Sequence, residues 1–183
     1  VGGAGALGAR FVSLFQRSGY EVAVLEQHDW PHAEAICANA ALVLLAVPIT
    51  LTTQLINQLP PLPADCVLAD ITSIKQLPLS AMLNKHSGPV VGLHPMFGPD
   101  ISNLVKQVVV VCHGRDESRY QWLLKQLNVW GAELTVKQAA EHDSAMQLIQ
   151  AMRHFSSLVY GVHLADENAD LNELLQLSSP IYR

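Results

Sequence analysis

Three glycines in the run Gly3-Ala4-Gly5-Ala6-Leu7-Gly8 leave this chain few choices of fold. The spacing G-x-G-x-x-G, set between a strand and a helix, is the turn on which a βαβ unit carries a dinucleotide. Spacing alone is a weak signal, so the flanks decide. Val1 reads as the tail of a first strand, and Leu7, Phe11, Leu14 and Phe15 follow at helical spacing, with the helix ending near Ser18-Gly19. Tyr20 to Glu26 then forms a short apolar strand whose last residue projects from the carboxyl edge of a sheet, where a ribose would lie.

The three glycines are expected to act differently, Gly3 making a tight turn, Gly5 allowing close backbone approach to a pyrophosphate, and Gly8 allowing close helix packing. The first turn of the helix supplies free N–H groups and positive dipole to phosphates. A carboxylate at Glu26 accepts both ribose hydroxyls and repels a 2′-phosphate, and no arginine follows it in Gln27-His28-Asp29-Trp30. NAD is therefore favoured over NADP. The expected cofactor contacts are Gly3, Ala4, Gly5, Ala6, Leu7, Gly8, Glu26, Gln27 and the strand-end pair Val47-Pro48. The alternative is a glycine-rich turn with no ligand and a solvated Glu26.

Downstream, the scheme repeats. After a short helix around His32 to Ala40, the run Ala41 to Val47 is apolar without alternation and stops at Pro48, as a strand buried on both faces requires. Helix 51–59, strand 66–69 ending at Asp70, helix 79–85, strand 90–93 ending at His94, strand 108–112, helix 118–127 and strand 133–136 follow. This predicts an α/β fold: a Rossmann-type, doubly wound, mostly parallel sheet over residues 1–136, its first strand truncated. Beyond Lys137 the pattern becomes long helix, with Ala145, Met146, Ile149, Met152, Phe155, Val159 and Val162 at three- and four-residue spacing and a further helix over 171–177. Residues 137–183 read as the start of an all-helical domain for dimerisation and substrate, and the chain reads as a fragment of a longer protein.

Composition narrows the partners. A net charge of −5 without a long basic run argues against nucleic acid or an anionic membrane. No stretch approaches the ~18 apolar residues of a membrane span. Cys37, Cys66 and Cys112 are odd in number, lack C-x-x-C spacing and lie in apolar surroundings, so they read as reduced core residues of a cytoplasmic protein. The histidines His28, His32, His86 and His113 show no metal-ligand spacing.

Ligands of open parallel sheets bind at strand carboxyl ends, which directs attention to the turn Asp70-Ile71-Thr72-Ser73-Ile74-Lys75 and to His94. Histidine is suited to proton transfer near neutral pH. On residues alone His94 is either a structural histidine or a catalytic base. Ser73 and Lys75 either hydrogen-bond a substrate hydroxyl and attract a carboxylate, or belong to an ordinary turn with a solvated amine.

These residues resemble the prephenate dehydrogenases of tyrosine biosynthesis. The similarity runs through Val1 to Gly5, Leu25 to Trp30, Ala46-Val47-Pro48, Asp70 to Lys75, Leu93 to Asp100, Val129 to Ala132, Glu141-His142-Asp143 and Leu177 to Arg183, with Ile74 where the family commonly has valine. It is closest to the bifunctional branch in which a chorismate mutase domain precedes the dehydrogenase. The resemblance implies that prephenate loses a hydride to NAD, loses CO2 and becomes 4-hydroxyphenylpyruvate, with neutral His94 taking the C4 hydroxyl proton and Ser73 orienting that hydroxyl. It further implies that Lys75 assists substrate carboxylate binding and that Arg153 and His154 recognise the substrate side chain or inhibitory tyrosine; the alternative for the last two is a polar helix face. The family's principal arginine for the ring carboxylate falls beyond Arg183, which leaves Arg183 as a helper or an ion-pair partner. A homodimer through the helical domain is expected of the full-length protein. Two other readings stay open: arogenate as the substrate, and a catalytically silent NAD-binding regulatory module.

Overall fold

A computed structural model of the chain describes residues 1–177. Its elements run α1 (Ala6–Arg17), a 3-10 turn (Gln27–His32), α2 (Ala33–Cys37), β1 (Leu42–Leu45), α3 (Ile49–Gln58), β2 (Val67–Asp70) and α4 (Gln76–Lys85). There follow β3 (Val90–Pro95), β4 (Val108–Arg115), α5 (Glu117–Val129), β5 (Glu133–Val136), α6 (Ala139–Asp166) and α7 (Leu171–Leu177).

The strands form one sheet in the order β1-β2-β3-β4-β5. β1, β2 and β3 are parallel, β4 runs antiparallel to β3, and β5 is parallel to β4. The reversal at β4 has a local cause. A parallel neighbour needs a crossover, usually a helix, whereas the segment between β3 and β4, with Gly98 and Pro99, has no helical spacing and returns the chain directly.

Alternate residues of the strands enter two cores, which is why the apolar runs do not alternate with polar residues. Val67 and Ala69 of β2 and Val109 and Val111 of β4 pack on one side with Phe11 and Phe15 of α1 and Tyr120, Leu123 and Leu127 of α5. Leu68 of β2 and Val110 and Cys112 of β4 pack on the other with Ile56 of α3 and Met82 of α4. The sheet is thus covered on both faces.

Two expectations are corrected. The segment 20–26 carries no ladder in the described sheet and meets it through single hydrogen bonds, the Gly2 N–H donating to Leu25 O (3.1 Å) and the Ala46 N–H to Val1 O (2.9 Å). The helix expected around 32–40 is the shorter α2, and the 3-10 turn before it, which contains Pro31, was not expected.

Packing divides the chain into Val1–Asp143 and Ser144–Arg183, so the first turn of α6 belongs with the sheet. Within the second unit, α6 displays Leu148, Met152, Phe155 and Leu158 at helical spacing, each more than half exposed. Among the described residues no helix is long and apolar enough to cross a membrane.

Candidate active site

The glycine turn forms a cradle at the start of α1. Gly2 has φ +74°, and a Cβ there would lie 2.7 Å from Ala46 O, so the tight turn assigned in sequence to Gly3 is made by Gly2. At Gly3 the missing side chain instead admits Val24 and Val12, whose methyls would stand 2.9 and 3.1 Å from a Cβ. A Cβ on Gly8 would come within 2.3 Å of Gly2 O, which holds α1 against the turn. Gly5 is the N-cap and offers no side chain to the first turn, leaving donors free for an anion. Glu26 closes the cradle, its Oε1 accepting the Ala4 N–H at 2.7 Å.

In front of this turn lies a cavity of about 450 Å3 whose wall includes Gly2, Gly5, Glu26, Gln27, Val47 and Pro48. Trp30, Leu51 and Leu55 complete an apolar side that sequence reasoning did not single out. Ala4 and Ala6 stand exposed beside the α1 terminus and Leu7 half-buried, while Gly3 and Gly8 act from behind the turn. Uncapped donors, a carboxylate at the ribose position and an apolar wall together fit a dinucleotide.

The second cluster sits where β2 and β3 end. The register pairs Asp70 with Gly92, so the loop carrying Ser73 and the strand end carrying His94 leave the same edge of the sheet. His94 is buried, and its Nδ1 lies 2.8 Å from Nε2 of His142 in the first turn of α6. His142 Nδ1 lies 2.8 Å from Asp143 Oδ1. The Asp143 carboxylate is anchored in turn by the N–H groups of Lys75 (2.7 Å, to Oδ1) and Gln76 (2.9 Å, to Oδ2) at the start of α4. Among the described residues, His94 Nε2 has no hydrogen-bond partner.

Charge follows burial here. Loss of solvent, then the neighbouring His142 and Lys75, lower the His94 pKa to about 4 against the opposing pull of Asp143, so the ring is neutral near pH 7. Burial alone would raise the Asp143 carboxyl, but the Gln76 N–H, the His142 ring and the Lys75 N–H hold it below its usual range.

Lys75 corrects the sequence reading. Its side chain has no exposed surface; Nζ donates to Asp70 Oδ2 (2.5 Å) and to Leu93 O (2.6 Å). Burial lowers its pKa and Asp70 opposes that shift. An ammonium so enclosed cannot meet a substrate carboxylate; it ties the ends of β2 and β3 together. Gly92 makes this possible, because a Cβ there would stand 3.2 Å from the Lys75 stem. Asp70 Oδ2 also accepts the Thr72 N–H (3.0 Å) and the Thr72 hydroxyl, which shapes the loop holding the half-buried Ser73.

The remaining assignments divide by location. Arg153 and His154 are exposed on α6 within the second unit. Arg183 lies outside the described residues. His142 and Asp143 were present in the matched triplet Glu141-His142-Asp143, but nothing in their spacing from His94 revealed that α6 would return them to it.

Comparison with known proteins identifies the family. Residues 21–136, a stretch that starts after the glycine turn, match the model of the prephenate dehydrogenase nucleotide-binding domain. The whole chain is 56% identical over 183 residues to the T-protein of Enterobacter agglomerans and 50% identical over 184 to that of Haemophilus influenzae. It spans 49% of the length of each of these curated relatives. The crystal structure of prephenate dehydrogenase from Aquifex aeolicus, in complex with hydroxyphenyl propionate and NAD+, has the same fold, with a TM-score of 0.69 at 16% identity over 96% of this chain and 76% of that one. The chain therefore belongs to the prephenate dehydrogenase family, and its residues 21–136 form that family's nucleotide-binding domain.

Proposed function

We propose that this chain carries the cofactor-binding and proton-accepting part of an NAD-dependent prephenate dehydrogenase, which converts prephenate to 4-hydroxyphenylpyruvate and CO2. The observation that carries the reading is His94: buried, neutral and unpartnered at Nε2, at the same sheet edge as a dinucleotide cradle. NAD supplies the hydride acceptor when bound. The α1 terminus and Gly5 would hold its pyrophosphate, Glu26 and Gln27 its ribose, and Val47 and Pro48 its apolar flank.

As the C4–H pair leaves prephenate as hydride, the C4 hydroxyl gives its proton to His94 Nε2 and becomes a ketone. The C1–CO2 bond then breaks, its electron pair enters the ring as it becomes aromatic, and the C4 oxygen recovers the proton from His94. No net proton is released, and His94 returns to its starting state. Ser73, at the adjacent strand end, would hydrogen-bond the same hydroxyl. Arg153, His154 and Arg183 are proposed for the substrate's side chain and carboxylate or for inhibitory tyrosine. A homodimer through the helical part is supported by the exposed apolar residues of α6, and a cytoplasmic setting by three buried, unpaired cysteines.

The test is reduction of NAD by the full-length protein with prephenate and arogenate supplied separately. Turnover of prephenate supports the reading, and a strong preference for arogenate replaces the substrate. Turnover of neither, with NAD still bound, makes the chain a regulatory module.

A further inference from the structure

The two histidines and Asp143 form a series whose hydrogen-bond directions are fixed from one end. Asp143 is the fixed end, because both its oxygens already accept backbone N–H groups from the start of α4. An ionised carboxylate has no proton to give, so at 2.8 Å the neighbouring His142 Nδ1 must donate. In neutral His142 that leaves Nε2 as an acceptor. His142 is 1% exposed, so no bulk water competes for that lone pair. The atom facing it, His94 Nδ1 at 2.8 Å, must then carry a hydrogen. A neutral imidazole holds only one such hydrogen.

We infer that Asp143 and His142 are positioning residues that impose the Nδ1–H tautomer on His94, so that the lone pair stands on Nε2, the nitrogen without a protein partner. This rests on the reading of His94 as the base that takes the C4 hydroxyl proton. When Nε2 gains that proton the ring becomes an imidazolium, and its Nδ1–H is already directed along His142 toward the Asp143 carboxylate. The logic is that of a carboxylate orienting a catalytic imidazole, lengthened by one ring. The other charged groups nearby come from the β2–α4 loop: Lys75 adds positive potential that opposes protonation of His94, and Asp70 is its ion-pair partner.

The reversed arrangement makes a different prediction. If His94 carried its hydrogen on Nε2, His142 would have to donate from its own Nε2, and only a doubly protonated His142 would avoid setting its Nδ1 lone pair against the Asp143 carboxylate. The two arrangements differ in where nitrogen-bound hydrogens sit, and NMR reads that without any reference to turnover.

The experiment is 15N NMR of the full-length protein with labelled histidine and bound NAD, on the wild type and on Asp143→Asn, alongside steady-state kinetics with prephenate. The wild type is expected to show His94 as the Nδ1–H tautomer. In Asp143→Asn the amide keeps one acceptor oxygen for two backbone N–H groups and His142 Nδ1, so the charge that fixes the series is lost and the His94 hydrogen is no longer confined to Nδ1. kcat should then fall by about 10- to 10²-fold, the range of a lost hydrogen bond to a charged group, while KM and the NAD dissociation constant stay within a few-fold. His142→Asn, which removes the linking ring, should lower kcat similarly and release His94 to a mixture of tautomers.

An Nε2–H tautomer in the wild type overturns the inference outright, and that measurement needs no variant to fold. So does an Asp143→Asn protein that loses kcat with the His94 tautomer unchanged, since that pattern belongs to a structural role. A wild type with the expected tautomer and no oxidation of prephenate supports the orientation while sinking the functional reading, so the two failures are distinguishable.

Discussion

His94 sits where its own charge is disfavoured, and this couples the site to pH in a direction that can be worked out. Its folded pKa is about 4, against 6.5 for the free side chain. Between those values the unfolded chain binds a proton that the folded chain refuses, so the stabilisation is fully present above pH 6.5 and is lost as pH falls toward 4. The loss is on the order of 3 kcal/mol for this one group. Denaturation followed from neutral to acid pH should show that loss, and it should shrink in His94→Asn. An NMR titration of the unliganded protein should place the His94 midpoint well below 6.5. A midpoint at or above 6.5 would mean that burial does not govern this ring. Glu26 makes a separate prediction at the cofactor: Glu26→Gln removes the charge from the hydrogen bonds proposed to the ribose and should weaken NAD binding by about 1.5 kcal/mol or more, roughly tenfold, while improving NADP relative to NAD in a fluorescence titration.

The β2–α4 loop shows how an element can be sensitive without meeting a ligand. Asp70 and Lys75 form an ion pair with no exposed surface, and Lys75 also holds the carbonyl of Leu93 next to His94. Removing one member leaves a buried charge, so Lys75→Met should destabilise by about 3–5 kcal/mol in chemical denaturation. Asp70→Leu in the same protein should recover much of that loss. A Lys75→Met protein of normal stability and raised prephenate KM would return Lys75 to the substrate. On the glycine turn, Gly8→Ala sets a Cβ 2.3 Å from the Gly2 carbonyl and should abolish NAD binding through displacement of α1. The helix and strand order is legible in the sequence because apolar runs and turn residues report locally. Segment 20–26 reads as a strand, and its pairing is not legible there, because a β ladder depends on a neighbour outside the local pattern. Lys75 misleads for a related reason: lysine is usually solvated, and only the pairing of β2 with β3, with Gly92 leaving space, discloses its burial.

At the scale of the molecule, the first unit contains both the cradle and the His94 series, whereas the second exposes an apolar helix. The chain covers 49% of the length of the T-proteins it resembles. Spacing alone locates the glycine turn and Glu26, though not the part played by Gly2 or the apolar wall of Trp30, Leu51 and Leu55. His142 and Asp143 are not located by it, because their relation to His94 is created by the return of α6 to the sheet across 48 residues of sequence. We expect residues 1–183 to bind NAD but to turn prephenate over far more slowly than the full-length protein, since the resemblance places the principal arginine for the ring carboxylate beyond Arg183; comparison of NAD affinity and kcat in the two proteins checks it. The central claim is that His94 is the base of a prephenate oxidation, and the most direct measurement is prephenate-dependent reduction of NAD by full-length wild type and His94→Asn, with NAD affinity determined on both. The account predicts turnover in the wild type and a loss of about 10²- to 10⁴-fold in the variant at unchanged NAD affinity, whereas a variant that oxidises prephenate at the wild-type rate would contradict it.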